Sequence, residues 1–261
     1  MRHLRGVYTI WYRDVLRFVR DRSRIVASMA QPLMFPFIFG TGLNPAMSAV
    51  TGGAVDFRQF MFPGVLCMAV LFTAIFSAIS VVWDREFGFL KEVLVAPVSR
   101  TAVALGKVAG GATISTLQGL VVLLLAPIIG IRLEMGTVVQ IIGLMLLLAS
   151  VATAFGLVIA ARQKTLEGFQ MIMNFLLMPL FFLSGAFFPL RGVPWWMTWL
   201  SRIDPVTYGV DSMRGVTLRH SVPPDVLATL TLYPVAIDVA VMGGLAVLFI
   251  APAVWLFGKQ D

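Results

Sequence analysis

From residue 25 onward, long apolar runs alternate with short polar ones. Six runs reach the roughly 20 residues a helix needs to cross about 30 Å of hydrocarbon. They are Ile25–Leu43, Phe60–Trp83, Thr101–Ile131, Gly136–Ala161, Gly168–Pro189 and Pro234–Leu256, and each is predicted to be a spanning helix. The third is overlong, and Pro127 with Gly130 mark its exit end. Pro32 and Pro36 predict a kink in the first, with neighbouring helices satisfying the freed carbonyls. Gly110-Gly111 in the third is either a point of close helix approach or a flexible point.

Two polar stretches keep a helical period. In residues 1–24, Leu4, Val7, Tyr8, Trp11, Val15, Phe18 and Val19 form one stripe, with Arg2, Arg5, Arg13, Arg17, Arg20 and Arg24 off it. That pattern predicts an interfacial helix lying along an anionic leaflet, with Tyr8, Trp11 and Tyr12 at headgroup level. Between the second and third spans lies Asp84–Arg100, DREFGFLKEVLVAPVSR. As a helix it places Trp83, Phe87, Leu90 and Leu94 on one face and Arg85, Glu86, Lys91 and Glu92 off it, and Pro97 stops it. The fold class is therefore all-α integral membrane. An amphipathic segment, 1–24, precedes a single six-helix domain, 25–261.

Composition agrees: 59% of the 261 residues are hydrophobic and 13% charged, with mean hydropathy +0.90. These values lie far outside the soluble range. The net charge of +7 would ordinarily raise the question of nucleic acid. Here the basic residues flank apolar spans, so membrane topology accounts for them and no nucleic-acid partner is expected. Lys and Arg concentrate on one side, in residues 1–24, the 84–100 loop, Lys107, the turn around Arg162 and Lys164, and Lys259, whereas the opposite short loops hold only Arg58 and Arg132. Both termini and the 84–100 loop are thus expected in the cytoplasm, at a plasma or inner membrane. No cleavable signal peptide is evident. Cys67 stands alone in an apolar run and reads as a small buried hydrophobe.

The longest outer connection, Leu190–Tyr233, contains helix signals. Pro194 opens a helix through Trp195, Trp196 and Trp199. Asp204-Pro205 is a cap followed by a first-turn proline, opening a second helix that carries Tyr208 and an Asp211/Arg214 pair. The clustered tryptophans point to a pair of re-entrant helices dipping into the outer headgroup layer. Within the spans, Gln31, Gln118, Gln170 and Asn174 are the uncharged polar residues, and Asp238 stands near the start of the last. Gln118 and Asn174, with Phe35, Phe72 and Phe181, are candidates to line a substrate path. No chain of mid-membrane carboxylates suited to a proton relay is apparent.

The chain lacks a Gly-x-x-x-x-Gly-Lys-Ser/Thr sequence and its loops have no room for a nucleotide domain, so it is not expected to bind ATP or act as an enzyme. His3 and His220 fall on opposite sides of the membrane, and no metal site is expected.

An Arg-rich amphipathic start, six spans, the loop Glu86-Phe87-Gly88-Phe89-Leu90-Lys91-Glu92-Val93-Leu94-Val95-Ala96-Pro97-Val98-Ser99-Arg100 and the block Leu183-Ser184-Gly185-Ala186-Phe187-Phe188-Pro189 come in that order. The region around Trp195 and Asp204-Pro205-Val206-Thr207-Tyr208 up to Arg214 follows. Together these resemble the permease subunits of ABC-2 type exporters across nearly the whole chain. The resemblance implies a two-subunit permease core, usually a homodimer, with two separate ATP-binding-cassette subunits docked on the cytoplasmic side. Any ATP and Mg would then sit on the partner. Glu86–Leu94 corresponds to the family's coupling helix, assigning Glu86, Phe87, Phe89, Leu90, Lys91, Glu92 and Leu94 to the contact with the ATPase. Pro194–Val216 corresponds to its outer re-entrant helices, where Asp204 replaces a common Asn.

The family's cargoes include drugs, lipids and lipid-linked glycans. The expected role is export of a hydrophobic or amphipathic compound, with glycan export by the same machinery as the alternative. A membrane enzyme using Asp204, Asp211 and Asp225 as outer-face carboxylates is the alternative of another class. A passive channel would need a ring of charge or a Gly-rich filter, and none is visible.

Overall fold

The structure, a computed structural model, describes residues 2–21, 34, 38–40, 42, 45, 55–86, 99–131 and 133–258. The Ile25–Leu43 span, Phe35 within it, and residues 87–94 of the proposed coupling helix lie wholly or largely outside them. The helices are α1 (Arg2–Arg20), α2 (Phe57–Ser77), α3 (Ile79–Glu86), α4 (Arg100–Leu123), α5 (Met135–Ala160), α6 (Leu166–Leu183), α7 (Trp195–Ile203), α8 (Pro205–Leu218), α9 (Pro224–Leu230) and α10 (Val235–Gly258). No strand occurs among the described residues, and the protein is an all-α membrane protein. Among the described residues, four segments are long and apolar enough to span: Phe57–Glu86, Met135–Ala160, Leu166–Leu183 and Pro224–Phe257.

α4 is not one of those four, although its 24 residues reach about 36 Å at 1.5 Å per residue. Lys107, four glycines and several hydroxyls dilute its hydropathy. It does not need the hydropathy, because α1, α2, α5 and α10 all pack against it. The helix ends at Leu123, and the rest of the overlong run becomes a 3-10 turn, Ala126–Ile129, closed by left-handed Gly130 (φ 83°).

Small residues bring the backbones together. A Cβ on Gly106 would lie 2.9 Å from that of Ile10 on α1, and one on Gly111 would collide with Ser77 of α2 and Thr153 of α5. Gly110-Gly111 is therefore a point of close approach rather than of flexibility. Sidedness also refines the reading of α1. Phe18 is buried, and Trp11 donates its indole N–H to Thr113 Oγ1 at 2.9 Å, whereas Leu4, Tyr8, Tyr12 and Val19 stay exposed. The single stripe read from periodicity divides into an edge held by α4 and an aromatic edge left open.

At the opposite end of the bundle, α7 and α8 form an inward-pointing corner. Gly209 packs on Leu148, halfway along α5, while Leu218 clusters with Val55, Phe57 and Phe60 at the start of α2. From Asp204 to Leu218, α8 thus climbs from the middle of the bundle to its end. Part of this connection therefore packs inside the bundle.

Candidate functional site

The end of α3 is fixed to three other elements immediately before the 87–98 loop. Asp84 meets Lys107 of α4 at 3.6 Å and Arg13 of α1 at 3.7 Å. Lys107 also pairs with Asp14 of α1 at 3.3 Å and donates to Ser80 Oγ at 2.8 Å. Its side chain is 4% exposed, so two carboxylates and a hydroxyl replace water around a buried ammonium. Arg85 donates to the Gln163 carbonyl at 2.6 Å, and Glu86 accepts the Leu166 N–H at 3.0 Å. Glu86 thereby helps Thr165, whose hydroxyl accepts from Gly168, to cap α6. Three consecutive residues therefore reach α1, α4 and the α5–α6 corner.

Sequence reasoning took Lys107 only as part of the charge count. The signal that could have singled it out is a lone lysine in an otherwise uncharged helical run, which in a membrane protein implies buried carboxylate partners.

A cavity of about 390 Å³ opens beside this junction, between α1, α2, α3, α4 and α6. Phe18, Phe76 and Trp83 give it apolar walls, while Arg17, Lys107 and Gln170 give it polar ones. Of the expected path residues that the structure describes, Gln118, Asn174, Phe72 and Phe181, none lines it. Gln118 is buried in α4 and Asn174 is exposed on α6. Phe72 stacks with Phe76, and Phe181 packs edge-on against Phe187 with centroids 4.8 Å apart. Helix rotation fixes this outcome, and the path's apolar composition gave no guide to it.

The second cluster surrounds the α7–α8 corner. Trp195, Trp196 and Trp199 are all exposed along α7. Asp204 caps α8 as expected: one carboxylate oxygen accepts the Val206 N–H at 2.8 Å, the other faces the Thr207 hydroxyl, and Pro205 follows at the first helical position. Burial nevertheless dominates and pushes its carboxyl up to about 8, against those two hydrogen bonds. Tyr208 donates to the Arg202 carbonyl at 2.6 Å and stacks on Tyr233.

Two sequence readings are corrected here. Asp211 and Arg214 do not pair. Asp211 accepts the Leu232 and Tyr233 N–H groups at 2.8–2.9 Å, and Arg214 donates to the Gly185 carbonyl at 2.7 Å and lies 4.0 Å over the Phe60 ring. Backbone groups stranded by the inward fold outcompete a side chain one turn away. The second correction concerns buried carboxylates. Asp204, Asp211 and Asp238 are 3%, 4% and 0% exposed, because the connection turns into the bundle instead of resting on it.

The sign of the Asp204 shift gives a test. A carboxyl raised above its unfolded value near 4 contributes stability that is complete below about pH 4 and is lost as pH rises through about 8. Asp204→Asn keeps a neutral capping oxygen. Its thermal unfolding in detergent is expected to vary less between pH 6 and pH 9 than that of the wild type, whereas Asp204→Ala loses about 1 kcal/mol of capping at both. Parallel pH profiles for wild type and Asp204→Asn would refute the assignment.

A family model described as ABC-2 type transporter matches residues 5–218. Among curated relatives, the ycf38 transport permease of Cyanophora paradoxa is 26% identical, covering 81% of this chain and 73% of that protein. The inner membrane transport permease YadH of Escherichia coli K12 is 26% identical over 79% and 80%. Nodulation protein J of Rhizobium leguminosarum bv. trifolii is 23% identical over 82% and 81%. With a match from α1 to the end of α8, and with the helical membrane bundle those residues build, this chain belongs to the ABC-2 type transporter family and is a transport permease.

Proposed function

We propose that this permease is the membrane subunit of an ATP-driven exporter, powered by separate ATP-binding-cassette subunits that bind the 86–94 segment from the cytoplasm. In this reading both termini are cytoplasmic, two permease copies form the core, and two ATPase copies carry the ATP and Mg. The observation that supports it is the attachment of Asp84, Arg85 and Glu86 to α1, α4 and the α5–α6 corner. A push on the following loop reaches three elements at once through contacts that are short, charged and partly dry. Glu86 then acts as a transmitting residue at the start of α6, with Phe87, Phe89, Leu90, Lys91, Glu92 and Leu94 presented to the ATPase. The cavity beside the junction has aromatic and charged walls, which suits an amphipathic cargo taken from the cytoplasm or inner leaflet.

The test is copurification from native membranes in mild detergent. A P-loop ATPase should accompany the intact chain and be lost from a variant lacking Phe87–Leu94 that still inserts. In the reconstituted complex, Glu86→Ala and Phe89→Ala should each lower cargo-stimulated ATP hydrolysis by about tenfold, equivalent to ~1.4 kcal/mol. Wild-type coupling in both variants would sink the lever. Absence of any ATPase with the intact chain would overturn the coupling reading.

A further inference from the structure

Asp238, in the first turn of α10, is wholly buried, and neither of its carboxylate oxygens has a hydrogen-bond partner. Its depth follows from its neighbours. Gly215 of α8 packs against Val235, the first residue of α10, and Gly209 packs against the midpoint of α5. Asp238 lies one turn beyond Val235, on the stretch of α10 that runs inward beside α8.

The groups around it do not neutralise it. From α8, Asp211 and Tyr208 interact with it electrostatically, but Asp211 is a like charge and the Tyr208 hydroxyl donates its hydrogen bond to the Arg202 carbonyl instead. Arg214, the cation on that helix, is directed to Gly185 and Leu230 and covered by Phe60. Tyr233, on the segment entering α10, stacks with Tyr208. α5, packed along α10, has no ionisable residue, and α4 has only Arg100 and Lys107 near the other end of the bundle.

An ionised carboxylate without a partner in such a place is far more costly than the neutral acid, which carries no net charge to desolvate. Two buried carboxylates that repel one another favour retention of one proton between them. Asp211 has two backbone N–H groups to stabilise its charge and Asp238 has none, so the proton belongs on Asp238. Among the described residues no group of three or more His, Cys, Asp or Glu could hold a metal ion, and this favours a proton over a multidentate cation.

We propose that Asp238, backed by Asp211, is a buried proton-binding site at the seam between α8 and α10, holding one proton while the seam is closed and releasing it to water when the seam opens. The site belongs to the chain itself and stands whether or not the exporter reading does. Opening of the seam breaks only the O–H bond of the acid, the proton passing to water and leaving the carboxylate hydrated. Movement of the re-entrant pair would therefore be linked to proton uptake and release.

Infrared spectroscopy of the purified permease in nanodiscs reads this directly. Asp204→Asn serves as the background, because Asp204 is itself a candidate protonated acid. At neutral pH that background should show the carbonyl stretch of a buried protonated carboxylic acid. Adding Asp238→Asn, a near-isosteric and neutral change, should abolish the band. Adding Asp211→Asn instead should leave it. The Asp204→Asn protein should also lose thermal stability as pH rises, and the Asp204→Asn/Asp238→Asn protein should not. Persistence of the band without Asp238, or its loss only with Asp211, would overturn the proposal. So would an ionised Asp238 at neutral pH with stability that depends on added sodium or potassium, since the occupant would then be a metal cation.

Discussion

Lys107→Met is expected to destabilise the permease by about 2–3 kcal/mol, and Asp84→Asn in the same chain is expected to restore a substantial part of that loss. The ammonium is nearly dry and lies within 4 Å of both Asp14 and Asp84. Methionine fills the same volume but leaves the two carboxylates facing one another, with Arg13 the remaining cation within 4 Å among the described residues. Breaking a fully buried ion pair typically costs roughly 3–5 kcal/mol, and the lower figure reflects the 15% and 20% exposure of the two acids. Neutralising Asp84 removes the repulsion without replacing the lost attraction, so recovery should be partial. Thermal unfolding in detergent of the two single variants and the double variant makes a complete cycle. Strict additivity would mean that Lys107 and Asp84 are not coupled, and the junction would lose its mechanical role. Under the proposed function, the same cycle on ATPase stimulation should show coupling of the same sign.

Arg214→Met is expected to cost about 2–4 kcal/mol, and Arg214→Lys is expected to recover little of it. The guanidinium is 2% exposed and joins three elements: the left-handed turn at Gly185 after α6, the end of α9 at Leu230, and Phe60 of α2. Removing it strands a buried carbonyl, at about 1–3 kcal/mol, and a desolvated cation–π contact worth roughly 1–2 kcal/mol. A lysine ammonium is a point donor and cannot serve two separated carbonyls while lying flat on a ring. The comparison with Asp211→Asn is informative. If the two residues formed the ion pair expected from their i,i+3 spacing, their neutralisation would have similar effects. With Asp211 bonded to the Leu232 and Tyr233 N–H groups instead, an asparagine oxygen still accepts one of them, and that variant should be the milder by at least about 1 kcal/mol. Equal losses would restore the ion pair.

Much of this protein is set by short-range information. Runs of some 20 apolar residues leave a chain no option except helices in a bilayer, since unpaired backbone groups are too costly there. The cap at Asp204 begins its helix where the sequence places it, because a cap acts within one turn, and Asp56, Ser99 and Thr165 cap theirs in the same way. The same holds for Pro205 at the start of α8 and for the amphipathic α1. The family motifs were legible for a related reason: each is a compact string whose order survives in the chain.

Tertiary structure decided what each of those elements faces. Periodicity gave α1 one stripe, but the position of α4 made part of it a packed edge and part an exposed one. Charge counting assigned Lys107 to a side of the membrane, and only the arrival of Asp14 from α1 and Asp84 from α3 turned it into a junction. The connection 190–233 carried helix signals that the structure shows, but how far α8 reaches into the bundle depends on whether α2, α5 and α10 leave room for it between them. That room brings Asp204, Asp211 and Asp238 together in the dry interior and gives Asp211 and Arg214 backbone partners far along the chain. Hydrophobic pattern and capping are energies of a residue with its near neighbours and the solvent. The partners of a buried charge are set by helix packing, which no single stretch of sequence encodes.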